Sequence, residues 1–71
     1  MKQSQPDISA YNDFTTHAAA AEKQGNYDYA RKMWDEASII AARRCWRAKL
    51  QWCEARMAFC EKQMRLQGKR K

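Results

Sequence analysis

The sequence predicts an all-α fold: a helical hairpin with a short first helix and a long second one. Three observations predict it. Apolar residues recur at spacings of three and four along nearly the whole chain, the rhythm of one face of a helix. Gly25, followed by Asn26, is the only glycine before position 68. From Tyr27 to Gln67 there is neither glycine nor proline, and strong helix formers predominate.

Residues 1–8 (MKQSQPDI) are polar and are expected to form a disordered lead, after which Asp7 or Ser9 supplies a cap for a helix over about 9–24. Its apolar positions are Ala10 or Tyr11, Phe14, Ala18 and Ala21, and its alanines permit close approach of a neighbouring backbone. Gly25 suits the left-handed position just past a helix end, so a turn is expected at 25–26. Asn26 or Asp28 caps the second helix, expected over about 27–66, with a basic tail at 67–71. Ala30, Trp34, Ala37, Ala41, Cys45, Ala48, Trp52, Ala55 and Phe59 form a stripe whose repeat of eleven residues per three turns matches a straight helix. That continuity favours a single rod of roughly 60 Å at 1.5 Å per residue. A break near Arg43 to Trp46 is the alternative, since a helix of this length is unusual in a globular domain.

A second stripe, Trp46, Leu50, Cys53, Met57, Cys60 and Met64, has a coiled-coil-like rhythm, and a polar seam of Lys49, Arg56 and Gln63 separates the two. The second helix is therefore apolar on two flanks, and a first helix of some 15 residues covers only part of them. Uncovered apolar surface on a small protein commonly marks an interface. A homodimer is its simplest use, and a stripe kept for a different protein is the alternative; the two are compatible. Either assigns Trp46, Leu50, Trp52, Cys53, Arg56, Met57, Phe59 and Cys60 to dimer or partner contact. Phe14, Gly25, Tyr27, Ala30, Trp34, Ala37 and Ala41 are assigned to folding, with Tyr27 packing back toward the first helix.

A chain of 71 residues has room for one domain. Cys45, Cys53 and Cys60 lie seven and eight residues apart on one expected helix, too far for disulfides, and a lone histidine, His17, without any C-x-x-C pair offers no zinc site. The three thiols are expected to pack as small apolar side chains. No metal and no cofactor is expected. No glycine-rich phosphate loop occurs, and the adjacent Asp35 and Glu36 diverge on a helix, so no enzyme is expected. No apolar run follows Lys2 and no stretch reaches the length of a membrane span, so a cytoplasmic protein is expected. The net charge of +6 is polarised: residues 1–42 carry −2 and residues 43–71 carry +8. Arg43, Arg44, Arg47 and Lys49 are candidates for contact with nucleic acid or an acidic partner. A helix apolar on two flanks is poorly suited to reading bases, so steering toward an acidic protein is the favoured use of the charge.

The run Gly25-x-Tyr27-x-x-Ala30-x-x-x-Trp34-x-x-Ala37-x-x-x-Ala41, followed by Trp52-x-x-x-Arg56-x-x-Phe59-Cys60, resembles the ANR family, the AraC negative regulators of bacteria. The resemblance spans about residues 14–60 and departs from the family pattern at Lys49, where asparagine is usual. It implies a small cytoplasmic protein that binds transcription activators of the AraC/XylS type and reduces expression of the genes they activate. It also implies engagement of nucleoid-structuring proteins of the H-NS type.

Overall fold

In the computed structural model, which describes residues 6–69, the chain is all-helical: α1 (Pro6–Lys23), α2 (Tyr27–Arg43) and α3 (Arg47–Lys69). The helices run up, down and up, with α2 packed against both neighbours. α1 and α3 meet mainly through long side chains that reach past it.

The expected single helix over 27–66 is corrected by this arrangement in favour of the alternative, a break near Arg43 to Trp46, because the chain turns at Arg44–Trp46. Both turns are built alike. After α1, the amide of Asn26 donates to the carbonyl of Ala21 at 2.9 Å and that of Gly25 to Glu22 at 3.0 Å. After α2, the amide of Trp46 donates to Ala41 at 2.9 Å and that of Cys45 to Ala42 at 3.2 Å. These paired bonds are the Schellman closure, which requires a left-handed residue just beyond the helix. Gly25 takes that position with φ 77° and Cys45 with φ 59°. A left-handed residue carrying a Cβ costs roughly 1–2 kcal/mol, so such positions usually fall to glycine, and the second turn carries no such mark in the sequence.

The ends differ from expectation as well. α1 begins at Pro6, inside the segment expected to be disordered, and proline suits a first turn because its missing N–H has no partner there anyway. Asp7 accordingly lies within that first turn rather than at a cap. α3 continues through Gln67, Gly68 and Lys69, the first part of the expected tail; residues 1–5 and 70–71 lie outside the described range. Asn26 caps α2 as expected, its side chain accepting from the amide of Tyr29 at 3.4 Å.

The core is made of Tyr11, Ala18 and Ala21 from α1, Ala30, Trp34, Ala37, Ile40 and Ala41 from α2, and Cys53 and Cys60 from α3. Phe14, Tyr27, Met33, Trp46, Leu50, Met57 and Phe59 pack around it, half-buried. Alanines at the contacts of α2 let the neighbouring helices approach, while Trp34, 1% exposed, fills the centre.

Candidate interaction surface

The turn at Cys45 exchanges one stripe for the other. Up to Ala41 the first stripe is buried, and beyond the turn Cys45, Ala48, Trp52 and Ala55 are exposed. The second stripe takes over the core: Cys53 and Cys60 are fully buried, and Trp46, Leu50, Met57 and Met64 are half-buried. Assignment of Cys53 and Cys60 to a dimer or partner contact is therefore corrected, since both are fully buried, while Trp46, Leu50 and Met57 pack half-buried against the core. The expectation that all three cysteines pack inside holds for Cys53 and Cys60 and fails for Cys45, the left-handed turn residue.

The polar seam faces α1. Arg56 donates through Nε to Glu22 Oε2 at 3.3 Å and through Nη2 to Oε1, so the guanidinium grips the carboxylate at two points. Glu22 also accepts from the indole Nε1 of Trp34 at 2.6 Å and from the Cys60 thiol at 3.6 Å. One carboxylate thus ties together all three helices. Burial alone raises its pKa, and the hydrogen bonds from Arg56 and Trp34 outweigh that and hold it below the ordinary value. Lys49 of the seam lies 5.7 Å from the ring centres of both Tyr11 and Trp46, and, beyond the seam, Gln67 donates to the Gly25 carbonyl at 3.3 Å.

Each residue of the Trp52, Arg56, Phe59, Cys60 pattern meets an earlier one. Trp52 stands edge to face on Trp34, with centroids 4.8 Å apart, and Phe59 stands similarly on Tyr27 at 5.9 Å. Tyr27, expected to pack back toward the first helix, packs against the core and also meets α3. Arg56 and Cys60 close on Glu22. The two halves of the sequence pattern are the two sides of one packed unit, and Arg56 belongs to the fold rather than to a free surface. Glu22 carries the unit, and sequence reasoning did not single it out. Its signal was a carboxylate one turn after Ala18, on the face otherwise filled with alanine.

Of the basic candidates, Arg43 and Arg44 approach Asp7 at 3.4 and 3.7 Å, while Arg47 and Lys49 are exposed. The four form a cationic corner at the α2–α3 turn, partly neutralised by the first turn of α1. Exposed ion pairs of this kind contribute little stability.

What α3 leaves outside is an apolar strip: Ala48, Trp52, Ala55, the uncovered edge of Phe59, and Leu66. Trp52 is 50% exposed and Leu66 46%. Beside α1 and α2, a shallow groove is lined by His17, Ala20, Ala21, Gln24, Asn26 and Tyr29. Among the described residues no cluster of three or more His, Cys, Asp or Glu could hold a metal ion. No described helix is long and apolar enough to cross a membrane. No family model matches the chain, and neither a curated protein nor a solved structure matches it.

Proposed function

We propose that this protein is a non-enzymatic negative regulator of transcription, which binds an activator of the AraC/XylS type and inhibits it by protein–protein contact. The observation that supports this reading is the apolar strip on α3. A tryptophan half in solvent, with small residues one turn to either side, offers the ring and the recesses that protein interfaces use. The resemblance to the ANR family supplies the class of partner, and an H-NS-type nucleoid protein is proposed as a second one on the same ground.

Pull-down of a purified AraC/XylS-type activator by this chain, paired with a gel shift on the activator's promoter, tests the reading. The expected result is capture of the activator and loss of its shifted band as the chain is added. A chain that shifts the promoter by itself at physiological salt and does not capture the activator would sink it. That second outcome belongs to a reading favoured by one observation, the cationic corner of Arg43, Arg44, Arg47 and Lys49, whose charges would contact phosphates.

A further inference from the structure

The strip and the charge beside it together specify what kind of segment it binds. Ala48, Trp52, Ala55, Phe59 and Leu66 follow spacings of four, three, four and seven, so they lie along one edge of α3. The adjoining solvent-facing flank carries Arg47, Gln51, Ala58 and Arg65, and Lys62 takes the strip's own position between Phe59 and Leu66; all are exposed. α3 contains two acids. Glu61 is held by Arg31 at 2.6 Å, which leaves Glu54 as the one acid on the flank among the described residues. The apolar edge is thus bordered by three cations against one anion.

A second copy of the chain is a poor occupant. Pairing α3 with α3 would set Arg47, Lys62 and Arg65 of one copy beside those of another, and like charges brought together across an interface oppose association. From this geometry we infer that the strip receives an acidic amphipathic helix of another protein. Its apolar anchors, at i, i+3 or i+4 and i+7, lie along Ala48 to Leu66, and its Asp or Glu side chains face Arg47, Lys62 and Arg65. The alanines at 48 and 55 leave recesses for large anchors on either side of the Trp52 ring, and the cations fix the orientation of the incoming helix and speed encounter. This inference takes partner binding from the function proposed above and adds the chemistry of the segment bound.

The test titrates the full chain into two labelled synthetic helical peptides, read by fluorescence anisotropy. One carries leucines at heptad spacing with glutamates on its flanks; the other has the same leucines with lysine in place of glutamate. The acidic peptide is expected to bind saturably and at least about tenfold tighter than the lysine peptide, with affinity falling as salt rises from about 0.05 to 0.5 M. Ala55→Arg adds positive charge yet places bulk on the strip, and it is expected to weaken binding at least about tenfold while helicity and melting are unchanged. Lys62→Glu combined with Arg65→Glu weakens binding and flattens its salt dependence. Equal affinity for the two peptides, or undiminished binding by Ala55→Arg, overturns the inference. So does a dimer of the wild-type chain that Ala55→Arg dissociates, which would give the strip to a second copy. An activator captured equally by wild type and Ala55→Arg overturns the inference and leaves the proposed function standing. Tight binding of the acidic peptide without capture of any AraC/XylS-type activator supports the inference and overturns that function.

Discussion

The indole N–H of Trp34 donates to the carboxylate of Glu22 at 2.6 Å, joining the core tryptophan of α2 to α1 across the first turn. The same carboxylate is gripped by Arg56 of α3, and its side chain is only 14% exposed. A charge set among apolar residues is tolerated because each oxygen is occupied by a donor. The bond fixes the roll of Trp34, and with it the face on which Trp52 rests.

Glu22→Ala strands the Trp34 N–H and the Arg56 guanidinium together. The expected loss is about 2–4 kcal/mol, read as a lower denaturation midpoint in urea. Glu22→Gln, which keeps an acceptor for Trp34, is expected to lose less. Trp34→Ala removes the largest buried side chain and is expected to cost about 3–5 kcal/mol, enough to abolish the cooperative melt of so small a domain. Unchanged melting in either alanine variant would contradict the packing described.

Acid weakens the same contact. The folded pKa of Glu22 lies below its ordinary 4.5, because Arg56 and Trp34 favour the ionised form more than burial opposes it. A lowered folded value means the contribution is fully present above the ordinary value and is lost as pH falls through the folded one. The difference in melting temperature between wild type and Glu22→Gln is therefore expected to be constant from neutral pH to about pH 5.5 and to shrink below about pH 4.5. A difference that grows on acidification would contradict the hydrogen-bonded geometry.

The two turns predict opposite responses to glycine and alanine. Cys45→Gly relieves a left-handed residue that carries a Cβ, at the expense of greater freedom in the unfolded chain, and is expected to stabilise by about 0.5–1 kcal/mol. Gly25→Ala is expected to destabilise by about 1–2 kcal/mol through φ alone, since a Cβ there would meet nothing within 4 Å. Thermal denaturation of the two variants measures both signs.

Thiol chemistry reports which cysteines the fold encloses. Cys53 Sγ lies 3.8 Å from the Tyr11 hydroxyl, and burial raises its pKa. Burial, with the Glu22 carboxylate beside it, pushes the Cys60 thiol up to about 11. Only the exposed Cys45 is expected to react promptly with a thiol reagent in the native chain, and all three in denaturant. Prompt release of more than one equivalent from the native protein would place Cys53 or Cys60 outside the core.

Helical periodicity made the all-α class, the turn at Gly25 and the core role of Ala30, Trp34, Ala37 and Ala41 legible in the sequence. The second turn was legible only as the alternative, a break near Arg43 to Trp46, because the stripe stays in phase from Ala41 through Cys45 to Ala48 while the backbone turns at a residue with no turn signature. The second stripe was visible, but its burial depended on that turn. Hence Trp46, Leu50, Cys53, Met57 and Cys60 read as surplus surface and are in fact enclosed or half-enclosed. Trp52 keeps its surface assignment, while Arg56 loses it to Glu22. Pairing across 34 positions leaves no periodic trace for a sequence pattern to catch.

The most direct test of partner binding through α3 is an NMR titration of the isotope-labelled chain with a purified AraC/XylS-type activator. Signals of Ala48, Ala55, Leu66 and the Trp52 indole are predicted to shift or broaden, while the Trp34 indole, held by Glu22, stays in place. An unperturbed spectrum, or change confined to the corner from Arg43 to Lys49, would contradict the account.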